Sequence, residues 1–321
     1  MLDIVQWNVE NFVNIKKIME NIELIHKLKN TDLIFIQEWK QEEGLILLNK
    51  LNSEFFKFLH ISVDRCCIIY NSKKLILHKS IEIVLPHLPY EELSLIEKTY
   101  LSGKKHSSLL ASFKPLVNMN IDILHCLSFH LGAFSPEKHN KIHKHQFNNI
   151  FKKILVEIKK KLKNGIIIAG DTNYRTQDND LLDKLANKKI LEKIPGDFKD
   201  ICHDSECLNY NTQSFRFLHE KNIAKQIMRK LATININKCK NNPELFICKH
   251  NKIMLDNRLD FIATNMIVKK NKTIIKPYKL LSDHFMISSV IDPTIKNKTS
   301  KNKTSINKTS KNKTFKNKIN K

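Results

Sequence analysis

Asp171 and Asn173 stand two residues apart, directly after Gly165-Ile166-Ile167-Ile168-Ala169-Gly170. That apolar run predicts a buried strand ended by Gly170, although a run this short does not by itself exclude a helix. A carboxylate and a carboxamide then follow where a strand opens into a loop, so polar groups can meet a substrate from a rigid base. Taken alone the pair is more readily a strand-end turn, since Asp and Asn both favour turns through local hydrogen bonds.

The rest of the chain changes that balance. Asn8 closes the opening apolar run, Glu38 ends the next, and His130 ends a third. Asp260 stands near the start of another run, and adjacent Asp283 and His284 precede the last one. Each alone is a cap, a surface group or a packed residue. Together they supply hard oxygen ligands for a cation of the Mg²⁺ type, which takes one or two carboxylates, water and substrate phosphate. Two histidines and further carboxylates remain to order or deprotonate a water. This is the equipment of metal-assisted phosphoester hydrolysis.

The elements that must position these groups can be read from hydrophobic spacing. Strands are expected over 2–12, 32–39, 66–70, 75–77, 81–85, 109–113, 121–131 and 258–264, with a closing strand after His284. Ile15, Ile18, Ile22, Ile25 and Leu28 recur every three or four residues, which predicts one helix over 14–29, and a second follows over 41–51. A third is expected over 136–163, with Ile142, Phe147, Ile150, Phe151 and Ile154 on one face; its His139, His143 and His145 belong to a solvated basic face. Residues 180–191 and 215–231 are expected to be helical, and 198–249 is otherwise the least legible stretch.

The chain has 321 residues and a formal charge of +23. One large domain over residues 1–293 and a tail over 294–321 account for this length. The tail holds ten Lys and no acid in Asn-Lys-Thr-Ser repeats, so residues 1–293 carry +13 of the total. The tail has too few apolar residues to bury and is expected to be disordered. A body this basic suits polyanions: nucleic acid, phosphoinositide or an anionic membrane surface. No basic leader with a long apolar core is visible and no apolar run approaches a membrane span, so a soluble intracellular protein, cytoplasmic or nuclear, is expected. Seven cysteines at irregular spacing fit reduced thiols. Cys202, Cys207, Cys239 and Cys248 with His203 and His250 match no standard zinc spacing.

The succession Gln6-Trp7-Asn8, Gln37-Glu38, His130-Leu131, Gly170-Asp171-Thr172-Asn173, Leu259-Asp260-Phe261-Ile262 and Ser282-Asp283-His284 resembles the endonuclease/exonuclease/phosphatase (DNase I-like) superfamily, over nearly the whole of residues 2–292. The resemblance implies a four-layered α/β sandwich of two packed, mostly antiparallel β-sheets flanked by helices. It implies Mg²⁺ held by Glu38, with Asn8 beside it and Asp283 contributing, Mn²⁺ being a substitute. Asp171 would orient or deprotonate the attacking water, Asn173 would hold the phosphate or the water, and His284, positioned by Asp260, would contact the phosphate. His130 resembles a histidine of the phosphatase, sphingomyelinase and tyrosyl-DNA phosphodiesterase branches, and Arg175 is a candidate phosphate contact or a structural ion pair.

Gly170-Asp171-Thr172-Asn173-Tyr174-Arg175 is similar both to inositol polyphosphate 5-phosphatases and to tyrosyl-DNA 5′-phosphodiesterases. Asp256-Asn257-Arg258-Leu259-Asp260-Phe261 stands where the former carry Pro-x-Trp-Cys-Asp-Arg. Asn211-Thr212-Gln213 resembles an element of the latter, while Gly132-Ala133 replaces their Glu-Ser. A Mg²⁺-dependent phosphodiesterase on nucleic acid, acting as a monomer on 5′-tyrosyl linkages, is the first expectation. An inositol polyphosphate or phosphoinositide phosphatase, or a sphingomyelinase-like lipid phosphodiesterase, is the second; a catalytically inactive nucleic-acid-binding module is the non-enzymatic alternative.

Overall fold

Strands that carry long apolar runs must be buried on both faces, and several of the described strands do so. A computed structural model describes residues 1–52, 54–61, 65–85, 106–117, 119–131, 136–158, 162–172, 182, 186–201, 260–269, 274–276, 281–282, 284 and 286–296. Leu2–Asn8 (β1), Leu33–Gln37 (β2), Phe56–Ile61 (β3) and Cys66–Asn71 (β4) belong to one sheet with Met266–Val268 (β11), Ile274–Lys276 (β12) and Met286–Ile295 (β13). Its order is β11-β13-β1-β2-β4-β3, with β12 also paired to β13. The second sheet, β5-β6-β7-β8-β10-β9, comprises Leu75–Leu85 (β5), His106–Pro115 (β6), Ile123–His130 (β7), Asn164–Asp171 (β8), Lys199–Asp200 (β9) and Asp260–Thr264 (β10). Only β1/β2 and β7/β8 pair in parallel; the other pairings among the described residues are antiparallel.

The period-2 alternation of a strand sorts these apolar runs into three cores. Leu2, Ile4, Leu33 and Phe35 of the first sheet meet Phe113, Leu124, Cys126, Ile167, Ala169 and Ile262 of the second, and this is the seam between the sheets. Val5, Trp7, Ile34 and Ile36 point the other way, onto Leu24, Leu28, Leu47 and Leu51 of the helices Ile22–Lys29 and Gln41–Leu51. Ile166 and Ile168 of β8 likewise turn outward, onto Phe147, Ile150, Phe151 and Ile154 of the helix Pro136–Glu157. The layers run helix, sheet, sheet, helix, which is the expected four-layered sandwich. Among the described residues no helix is long and apolar enough to cross a membrane.

Local expectations fail where a side chain competes with the regular pattern. The single helix expected over 14–29 is two, Ile15–Glu20 and Ile22–Lys29, because Asn21 leaves the helical region (φ −78°, ψ 93°) and accepts from the Leu24 N–H at 2.9 Å as an N-cap. Ile22, counted on the apolar stripe, is consequently 84% exposed. The strands expected over 75–77 and 81–85 are one, β5, with a register shift between Leu77 and Lys79. His143 is not on a solvated face but fully buried, whereas His145 is exposed. β13 continues through Pro293 to Ile295. Within the expected 180–191 helix, Leu182 and Lys188–Leu191 are helical among the described residues; 215–231 lies outside the described residues, as does the tail from residue 297.

Candidate active site

The topology brings one end of each sheet to a common point. β1 and β2 run in parallel and in register, Asn8 beside Gln37, so both end together and Glu38 follows at once. β7 and β8 repeat the arrangement in the other sheet, with His130 beside Asp171. β10 is antiparallel to β8 and starts where β8 stops, so its first residue, Asp260, lies across from Asp171. β13 is antiparallel to β1, with Gln6 opposite Ile287, which sets His284 at the end of β1. Gly170 makes the β7/β8 end close tightly: a Cβ there would fall on the carbonyl oxygen of Phe129.

Asp260 is buried, and a carboxylate out of water must have its charge answered by donors. Gln6 Nε2 donates to its Oδ1 at 2.7 Å and His284 Nδ1 to its Oδ2 at 2.7 Å. Gln6 Nε2 also donates to Gln37 Oε1 at 2.7 Å, and Gln37 Nε2 to Ser128 Oγ at 3.2 Å, so the carboxylate is backed by a polar chain through the seam. With its Nδ1 proton donated to Asp260, His284 turns its Nε2 edge to the cluster. Its backbone is fixed as well: Ser282 Oγ accepts from the His284 N–H at 3.1 Å and donates to the Asn8 carbonyl at 2.6 Å, while Trp7 Nε1 donates to the His284 carbonyl at 3.3 Å.

Asn8 is the hinge of the other half. Its Nδ2 donates to Asp171 Oδ2 at 3.0 Å and Glu38 Oε1 at 3.2 Å and lies 3.5 Å from His284 Nε2. Asp171 Oδ2 is 3.7 Å from both His284 Nε2 and His130 Nε2, and Glu38 Oε1 is 3.8 Å from His130 Nε2. Three carboxylates and two imidazoles therefore converge, with Asp171 and Asp260 buried and Glu38 and His130 each about a fifth exposed. Ligand atoms of Asp171, Asp260 and His284 all lie within 4.8 Å of one another. Since Asp260 and His284 are already joined by a short hydrogen bond, they form an oriented imidazole more naturally than a pair of metal ligands. The partly exposed carboxylate that can reach a cation without giving up a partner is Glu38.

Of the nine residues expected at the site, the structure gathers Asn8, Glu38, His130, Asp171, Asp260 and His284. Asn173, Arg175 and Asp283 lie outside the described residues. Sequence reasoning assigned no role to Gln6, Asn11, Gln37, Ser128 or Ser282. A signal existed for two of them: Gln6 follows Leu2 and Ile4, and Gln37 follows Leu33 and Phe35, at the spacing that points into the inter-sheet seam. A glutamine there must serve another buried polar group. No comparable signal marks Asn11, which donates to Glu38 Oε2 at 2.6 Å from a left-handed turn (φ 56°). Glu10, Phe12 and Glu38 also have positive φ, 47°, 57° and 58°, at roughly 1–2 kcal/mol per residue. Such strain clusters where surrounding contacts over-determine a functional loop.

By sequence the chain matches no protein-family model and no curated protein. By structure it is similar to a humanized zebrafish (D. rerio) TDP2, with a TM-score of 0.57 at 15% identity over 90% of this chain and 98% of that one. D. rerio TDP2 complexed with a single-strand DNA product aligns with a TM-score of 0.55 at 16% identity, over 90% and 97%. An endonuclease/exonuclease/phosphatase from Bacteroides vulgatus aligns with a TM-score of 0.52 at 14% identity, over 90% and 98%. The fold is the DNase I-like sandwich these proteins share.

Proposed function

We propose that this chain is a divalent-cation-dependent phosphoric ester hydrolase and, more narrowly, a phosphodiesterase acting on nucleic acid, with 5′-tyrosyl linkages to DNA or RNA as its substrate class. The observation that carries the proposal is the convergence of Asn8, Glu38, His130, Asp171, Asp260 and His284 from separate strands onto one point. A core needs no such group of acids, and gathering them costs electrostatic repulsion unless a cation or substrate chemistry uses them.

The donor set fits Mg²⁺. It offers hard oxygens from few carboxylates, as suits an ion that keeps water and substrate phosphate among its ligands, and among the described residues no Cys/His shell of the zinc kind. Glu38 would hold the ion, with Asn8 beside it and Asp283 as a further ligand. The cation, Mg²⁺ or Mn²⁺, would supply charge neutralisation at the phosphate and at the leaving oxygen.

The chain's own residues do the rest. Asp171, its Oδ2 anchored by Asn8, orients a water for in-line attack on phosphorus and accepts its proton as the new P–O bond forms and the bond to the leaving oxygen breaks. His284 turns Nε2 toward the phosphate because Asp260 holds Nδ1, and it offsets charge on the transition-state oxygens. His130, within 4 Å of both Asp171 and Glu38, links the carboxylate that handles the water to the one that would hold the cation. By the motif resemblance Asn173, two residues past Asp171, would hold the phosphate or the water, and Arg175 would contact the phosphate.

Nucleic acid is favoured over lipid headgroups by the tyrosyl-DNA-like motifs, the absence of the Pro-x-Trp-Cys-Asp-Arg segment, and the single-strand DNA product bound by the structurally similar D. rerio TDP2. The test compares a 5′-phosphotyrosyl oligonucleotide, the same strand without tyrosine, a soluble inositol polyphosphate and sphingomyelin, each with Mg²⁺. Cleavage of the tyrosyl strand well above the others is expected. Turnover of the inositol phosphate or the lipid alone would move the protein to those branches.

A further inference from the structure

Asn11 sits in a turn that L-residues resist. Glu10, Asn11 and Phe12 all lie at positive φ, and none of them is glycine. The turn is held from both sides: the Glu10 N–H donates to Asn8 Oδ1 at 3.0 Å, and the Phe12 ring is buried edge-on to Trp39, centroids 5.5 Å apart. Trp39 is the residue after Glu38 and is tied in turn by its N–H to the Arg65 carbonyl at 2.7 Å. The turn and the Glu38 corner are thus packed as one unit.

The consequence of this geometry is where it sends the Asn11 carboxamide. An asparagine that merely tolerates a left-handed turn bonds its own neighbouring backbone or faces water. Here Nδ2 crosses to a residue 27 positions away and donates to Glu38 Oε2 at 2.6 Å, a charge-assisted bond shorter than the one Asn8 makes to Oε1 at 3.2 Å. Each carboxylate oxygen then has its own neutral amide donor. The carboxylate plane is set while its charge is kept.

We propose that Asn11 is a positioning residue for Glu38, fixing its carboxylate before a divalent cation arrives. The inference rests on the metal-dependent hydrolase reading above. It assigns the strained turn after β1 to the tuning of cation affinity, with no contact between Asn11 and substrate.

The test uses Asn11→Gly in the full chain. Glycine removes the carboxamide and suits the left-handed backbone better than asparagine, so the variant keeps its fold. Outer partners of metal ligands change affinity by about 10–100-fold. Mn²⁺ affinity, titrated by electron paramagnetic resonance, should weaken by about tenfold or more. The Mg²⁺ concentration giving half-maximal hydrolysis should rise in parallel, while the KM for oligonucleotide at saturating Mg²⁺ and the melting temperature without metal should hold. An Asn11→Gly protein that binds Mn²⁺ as wild type does would overturn the proposal. A raised KM with a lowered melting temperature would also overturn it, by making Asn11 structural. If the wild-type protein binds no Mn²⁺ at millimolar concentration, the metal-dependent reading fails and the inference falls with it.

Discussion

At the scale of single residues, the Asp260–His284 pair sets the orientation of the imidazole that faces the cluster. Asp260 has both oxygens engaged, by Gln6 and by His284 Nδ1, so it serves as a fixed acceptor and not as a base. Asp260→Asn keeps the shape but gives His284 Nδ1 an amide where it had a carboxylate, and the imidazole loses both its orientation and the charge that stabilises its cation. Losing a preorganised electrostatic group costs about 10²–10³ in kcat, and steady-state kinetics of the variant should show such a loss with little change in KM. A kcat within about threefold of wild type would remove His284 from the charge-stabilising role. The residues of this pair were legible in the sequence because each stands at or just before the start of an apolar run. Gln6 and Asn11 were not given roles, for different reasons. Gln6 is visible only once strand alternation is followed into the seam, whereas Asn11 depends on a left-handed turn that no local residue type announces.

Elements were legible where one period dominates. The strands β1, β2, β4, β7 and β8 follow from their apolar runs, and their burial on two faces explains why those runs do not alternate. β3, Phe-Lys-Phe-Leu-His-Ile, was not expected: it is an edge strand in which Lys57 is exposed and Phe58, Leu59 and His60 are only partly covered, so neither a clean alternation nor a solid apolar run marks it. The helix break at Asn21 shows a capping side chain overriding a stripe that was otherwise helical. β7 also carries a polar group that the mechanism does not use. His125 is buried with Nδ1 2.9 Å from Ser112 Oγ and Nε2 3.1 Å from Asn164 Oδ1; since the Asn164 oxygen can only accept, Nε2 carries the proton and Ser112 donates to Nδ1. Burial pushes its pKa below the ordinary 6.5, against smaller upward contributions from Asn164 and Glu157. A depressed folded pKa means that the unfolded chain takes up a proton the folded chain refuses. Stability is therefore full above about pH 6.5 and is lost as pH falls below it toward the folded pKa. The melting temperature of wild type should drop between pH 7 and 5 more steeply than that of His125→Gln. Parallel slopes would mean that His125 does not titrate differently in the two states.

At the scale of the whole molecule, the two sheets place four strand ends, the start of β10 and the approach to β13 around one point, and the chain carries a formal charge of +23. The layer architecture was legible from the mixture of runs and stripes only with the help of the motif resemblance; the pairing order of the sheets was not, because which strands neighbour one another is decided by contacts far apart in sequence. If the charge serves nucleic acid, oligonucleotide affinity must fall with salt through counterion release. A grip on three phosphates of a single strand lowers affinity roughly 20-fold between 50 and 200 mM salt. The KM for a single-stranded substrate should rise by about that much, and a flat profile would assign the chain's positive charge to some other role. The measurement that tests the central claim most directly is hydrolysis of a 5′-phosphotyrosyl oligonucleotide by wild type and Asp171→Asn, with Mg²⁺ and with chelator. Release of a 5′-phosphate end that requires Mg²⁺ and falls by about 10²-fold or more in the variant is the predicted result. Undiminished release in chelator, or in Asp171→Asn, would contradict it.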